Sequence, residues 1–108
     1  MLILSISLFA KERDYQVPFC KALDGQIEYV IEDRTRIDCL TDIYAIEVDY
    51  AKKHHEAVGQ ALYYSIITGR KPAVALIVGI NDNRFLKRLK VVAKKVGIKV
   101  FIIIKQRR

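Results

Sequence analysis

Apolar and polar positions change period several times along the chain, and each change marks an element. Over residues 11–23, Tyr15, Phe19, Ala22 and Leu23 recur at helical spacing, so a helix is expected there, with Pro18 delaying its start or kinking it. Asp24-Gly25 reads as a turn. Residues 26–32 (QIEYVIE) and 34–40 (RTRIDCL) follow as strands with a bend at Asp33, and a third strand is expected over 43–51. Residues 52–68 return to a helical period that stops at Gly69. The run 73–80 (AVALIVGI) is continuously apolar, as in a strand buried on both faces. Asn81-Asp82-Asn83 offers N-cap candidates for a basic helix through Val96, ended by Gly97. Residues 98–104 (IKVFIII) form the last strand, and 105–108 a basic tail. The order is helix, three strands, helix, strand, helix, strand. It predicts an α/β sandwich around a mixed central sheet, the first three strands forming a meander, as a single domain over 1–108.

Composition narrows the classes. Of 108 residues, 52% are hydrophobic and 29% charged, which excludes a disordered tail and a fibrous repeat. No apolar run approaches the ~20 residues of a membrane span, so no membrane partner is expected. Nineteen Lys and Arg against twelve Asp and Glu leave a net charge of +7, which favours a polyanionic partner such as nucleic acid. Lys87, Arg88, Lys90, Lys94 and Lys95, with Arg107 and Arg108, are candidates for phosphate contacts; the competing reading is a solvated face. Cys20 and Cys39 do not form a CxxC site and are expected as two buried thiols, with a disulfide as the alternative in an exported protein. Residues 1–10 (MLILSISLFA) imitate a signal h-region but lack a basic n-region. They are read as part of the fold of a cytoplasmic protein, a truncated signal sequence and export being the alternative.

The third strand carries the candidate chemistry. Alternation points Tyr44, Ile46, Val48 and Tyr50 to one face and Ala45, Glu47, Asp49 and Ala51 to the other. Two carboxylates thus share a face with small alanines, and a hairpin brings Asp38, nine positions before Glu47, beside them. Clustered carboxylates raise one another's pKa unless a cation is shared, and hard divalent ions such as Mg²⁺ take such oxygen ligands. The competing reading makes them the solvated edge of a half-buried strand. On the next helix, Lys53, Gln60 and Tyr64 fall on one polar stripe, while Val58, Leu62 and Ile66 lie opposite and are expected against the sheet. His54 and His55 point apart and are read as partly exposed rather than as a metal pair.

Asp38, then Glu47-Val48-Asp49, then a helix with Lys53, Gln60 and Tyr64 resembles the PD-(D/E)xK nuclease superfamily over roughly residues 11–80. More narrowly, RIDCLTDIYAIEVDYAKKHHEAVGQALYYSIITGRKPAVALIV is similar to a group of small bacterial and phage proteins with the pattern RxDCLT…AIEVDFAxKWxEAIGQxLYY. The resemblance implies a restriction-endonuclease-like αβββαβ core with an extra C-terminal helix and strand, and Mg²⁺- or Mn²⁺-dependent hydrolysis of phosphodiester bonds in DNA. Asp38 and Glu47 would ligate the metal, with Asp49 and Glu12 as further ligands, and Gln60 and Tyr64 resemble the Q-xxx-Y signature of RecB-like nucleases. The lysine of the motif would stand two after Glu47, where this chain has Asp49. Lys53 from the adjacent helix is the replacement catalytic lysine, with Lys52 second. Tyr64, Lys52, Arg36, Lys87 and Lys90 are expected to bind substrate by shape rather than sequence, and a homodimer is expected by analogy with small members of the superfamily. The alternative is a catalytically degenerate domain that binds nucleic acid or a protein partner without cleavage.

Overall fold

The structure, a computed structural model, describes residues 10–106. The reading of the N-terminal stretch as part of the fold, and of Arg107 and Arg108 as phosphate contacts, therefore lies outside the described residues, Ala10 apart. Helix α1 (Glu12–Ala22) leads into an antiparallel meander of β1 (Gln26–Val30), β2 (Arg36–Leu40) and β3 (Tyr44–Tyr50). A 3₁₀ turn (Ala51–Lys53) opens α2 (His54–Thr68), and β4 (Lys71–Val78), α3 (Asn83–Val96) and β5 (Lys99–Ile104) complete the chain. Strands β3, β4 and β5 are parallel, so the five-stranded sheet is mixed, in the order β1-β2-β3-β4-β5.

The sheet has helices on both faces, as an α/β sandwich requires. On one face α1 packs Tyr15, Cys20 and Phe19 against Ile46, Val48, Ala73, Ala75 and Ile77. On the other, α2 and α3 pack Ala57, Ala61, Leu89 and Ala93 against Val74, Leu76 and Val78. Strand β4 lies mid-sheet and is buried from Ala73 to Val78, which accounts for its unbroken apolar run. Gly69 and Gly97 follow α2 and α3 in the left-handed conformation that ends helices.

Three expectations are corrected. Helix α1 runs from Glu12 to Ala22 with Pro18 inside it and no late start, although proline, lacking an N–H, donates no bond to the helix. The thiols are not free: Cys20 and Cys39 form a disulfide, with Cα atoms 5.5 Å apart, that ties α1 to β2. Their separation in sequence carries no sign of this, because the αβ turn at Gly25 brings them together; a Cβ at Gly25 would stand 2.5 Å from Cys39 Sγ. Finally, the residues that α2 buries are His54, against Phe85 of α3, and Ala57, Ala61 and Tyr64. Its alanines let the helix approach closely, so Val58 and Leu62 turn toward the cluster shared with α3, and Ile66 is 78% exposed. Tyr64 thus leaves the polar stripe for the interior, and His54 is buried rather than partly exposed. Among the described residues no helix is long and apolar enough to cross a membrane.

Candidate functional site

The site forms where the ladders on both sides of β2 are interrupted. The β2–β3 ladder pairs Leu40 with Ala45 and Cys39 with Ile46 and then stops. On the other side, Glu28 sits between the pairs Ile27–Cys39 and Tyr29–Ile37 with φ at 55°, a left-handed conformation that costs a non-glycine residue about 1–3 kcal/mol. Asp38 lies at this break, and its carboxylate accepts the Val48 N–H at 2.8 Å, replacing the missing ladder bond with a side chain. Its own carbonyl accepts the Gln16 side-chain amide at 2.9 Å, so α1 is fastened to β2 at the same residue.

Four carboxyl groups lie around this point within one another's fields, Glu47 next to Asp38 and Glu12 next to Asp49. Glu47, only 6% exposed, has its pKa raised first by burial, then by the charge of Asp38 and a hydrogen bond to it. Asp38 is also raised by burial, while the Val48 amide and the Glu47 hydrogen bond pull it back, so Glu47 holds the proton and Asp38 the charge. In the second pair Glu12 is pushed up to about 7 by burial, by a hydrogen bond to Asp49 and by the charges of Asp49 and Asp38. Asp49 is raised by burial and lowered by the Glu12 hydrogen bond and by Lys53. Among the described residues, no N–H or hydroxyl donor reaches the buried Oε1 of Glu47. Nor do three His, Cys, Asp or Glu side chains converge tightly enough to hold a metal ion as they stand.

The other sequence candidates divide. Lys53 lies beside this cluster, its charge lowering both Glu12 and Asp49. Tyr64 is buried within the field of Glu47 and Asp38, which with burial raises its phenol. Gln60 is exposed one turn before Tyr64, Lys52 is exposed beside Lys53, and Arg36 is exposed two residues before Asp38 on β2. Lys87 and Lys90 are exposed on α3, apart from the carboxylate-bearing strands. Sequence reasoning missed Gln16 and Glu28. Gln16 had a signal, a polar residue four before Cys20 on the apolar face of α1. Glu28, which bonds Arg13 at 3.2 Å and raises Asp38 by its charge, had none, since alternation carries no mark of a left-handed residue in a strand.

No protein-family model, curated protein or solved structure matches the chain.

Proposed function

We propose that the chain is a metal-dependent nuclease of the PD-(D/E)xK type, with a restriction-endonuclease-like core, that hydrolyses phosphodiester bonds in DNA by shape rather than sequence. The observation that carries this reading is the buried Glu47 Oε1, left without a donor beside the charged Asp38 at a break in the sheet. A buried carboxyl oxygen without a donor, next to a second buried carboxyl, is costly, and a shared divalent cation is the usual remedy. The donors are hard oxygens, which suit Mg²⁺ or Mn²⁺, with Asp38, Glu47, Asp49 and Glu12 as the residues that would hold it. Such an ion supplies Lewis acidity toward the scissile phosphate and a nucleophile at neutral pH. The order α1-β1-β2-β3-α2-β4 supports the proposed core.

The chain's own groups then have separate tasks. Val48 N–H fixes the Asp38 carboxylate, so one ligand is oriented by the backbone before any ion arrives. Lys53 faces Asp49 and Glu12 from the start of α2, where its ammonium offsets charge developing on phosphate oxygens. Tyr64 closes the inner wall, and Gln60, on the exposed side of the same helix, positions substrate.

The test is cleavage of supercoiled plasmid and branched DNA with Mg²⁺ or Mn²⁺, comparing wild type with Asp38→Asn and Lys53→Ala. Cutting by wild type that both variants lose is expected; cutting that survives Asp38→Asn overturns the assignment. One feature favours a second reading, a nuclease fold that binds without cleaving: Asp49 stands where the motif has its lysine. Salt-sensitive binding without cutting in either metal would select it.

A further inference from the structure

A groove of about 290 Å³ opens beside the carboxylates, lined by Tyr50, Ala51, Lys52, Lys53, Asp82 and Lys105. It lies at the carboxyl ends of the parallel strands β3, β4 and β5, where open α/β sheets bind their ligands. Three of its six residues are cationic and one is anionic. Lys105 is placed there by a specific arrangement. Its amide bonds Val78 O at 2.9 Å, and its stem crosses Gly79, where a Cβ would stand 3.4 Å from Lys105 Cδ. Its ammonium ends 5.7 Å from the centre of the Tyr50 ring. Asp82 turns back to accept the Gly79 N–H at 2.7 Å instead of capping α3, and the N-cap of α2, Lys53, makes no side-chain cap either. Three lysines therefore face one concavity against a single carboxylate, a setting that favours an anion.

We infer that this groove is a second anion site, which takes the backbone phosphate adjoining the one held at the carboxylates. Lys53 belongs to both places: it faces Asp49 and Glu12 and also lines the groove. A strand lying across Lys53 would set one phosphate over the acidic cluster and its neighbour between Lys105 and Lys52. The inference rests on the nuclease reading for its substrate but concerns different residues.

It is tested by the salt dependence of binding to a short DNA duplex, for wild type, Lys105→Gln, Asp82→Asn and Lys90→Gln, with melting curves to confirm folding. Lys105→Gln is expected to lower the slope of log K against log salt by ~1 and to weaken binding severalfold. Asp82→Asn, which removes the one negative charge, should tighten binding. A slope for Lys105→Gln equal to that of wild type, or a loss no larger than that of Lys90→Gln, overturns the groove. So does a groove that binds inorganic phosphate or a mononucleotide as tightly as the duplex. If the variants behave as expected but wild type never cuts, the groove stands and the nuclease reading fails. If wild type cuts and Lys105→Gln is indistinguishable from it, only the groove fails.

Discussion

The Asp38 carboxylate accepts the main-chain N–H of Val48 at 2.8 Å, just past the last pair of the β2–β3 ladder. One side chain thus does two jobs, closing the sheet where the strands part and presenting charge to Glu47. The two jobs separate by substitution. Asp38→Asn keeps an oxygen for Val48 and should cost less stability than removal of the side chain while abolishing metal-dependent cutting. Asp38→Ala strands a buried N–H and should cost about 1–3 kcal/mol, or ~4–8 °C of melting temperature per kcal/mol. Equal melting temperatures for the two variants would show that the Val48 bond has no structural role.

The raised carboxyls set an unusual pH dependence. Folded, Glu12 keeps its proton to about pH 7, and Asp38 and Glu47 are also raised, whereas in the unfolded chain such groups ionise near ~4. Between those values the native state binds more protons than the unfolded state, so stability is full below that window and falls as pH rises through it. Without divalent cations, the melting temperature should therefore drop from pH 5 to pH 8, and Glu12→Gln should remove the part of the drop that ends near pH 7. Under the proposed function Mn²⁺ would be held by the ionised carboxylates, so it should raise the melting temperature far more at pH 8 than at pH 5. Glu47→Gln should erase that gain. A flat profile in wild type would refute the scheme.

The disulfide closes a separation of 19 residues and joins the helix that carries Glu12 to the strand that carries Asp38. Chain entropy for a loop of this size suggests about 3 kcal/mol, so Cys20→Ser/Cys39→Ser should lower the melting temperature by more than 10 °C. Gly25→Ala drives a methyl group toward both sulfurs, 2.5 and 2.7 Å away, and should be destabilising with the bond intact. It should cost less in the serine pair, where the two side chains can separate. Additive effects would show that Gly25 is required for its backbone alone.

How much of this was legible depended on what each residue's neighbours in sequence could say. Element order was readable because hydrophobic period changes at each boundary, and the carboxylate face of β3 followed from alternation. Residues 26–32 and 34–40 read as strands longer than those found, since residues 31–35 form the connection. The buried face of α2 was misread because bulk was taken for burial: Ala57 and Ala61 bury completely, while Ile66 protrudes. The Cys20–Cys39 bond, the Gln16 tether and the left-handed Glu28 depend on which parts of the chain meet in space. None of those meetings leaves a local period, and together they decide where Asp38 sits.

Lys52 and Lys53 are adjacent, both exposed and both on the groove, yet only Lys53 acts on Glu12 and Asp49. Their substitutions should part along that line. Lys53→Ala should lower kcat on the order of 10²-fold or more, as removal of a charge-stabilising donor does elsewhere. Lys52→Ala should leave kcat near wild type and raise KM with a weaker salt dependence. The stricter check moves the lysine. Position 49 adjoins the same carboxyls from β3, beside Glu12, so a lysine there should reach the phosphate that the proposed function assigns to Lys53. Asp49→Lys combined with Lys53→Ala should recover part of the cutting that Lys53→Ala loses. No recovery in a double variant that still folds and binds Mn²⁺ would mean that the ammonium must enter from the helix, with Asp49 required as a ligand.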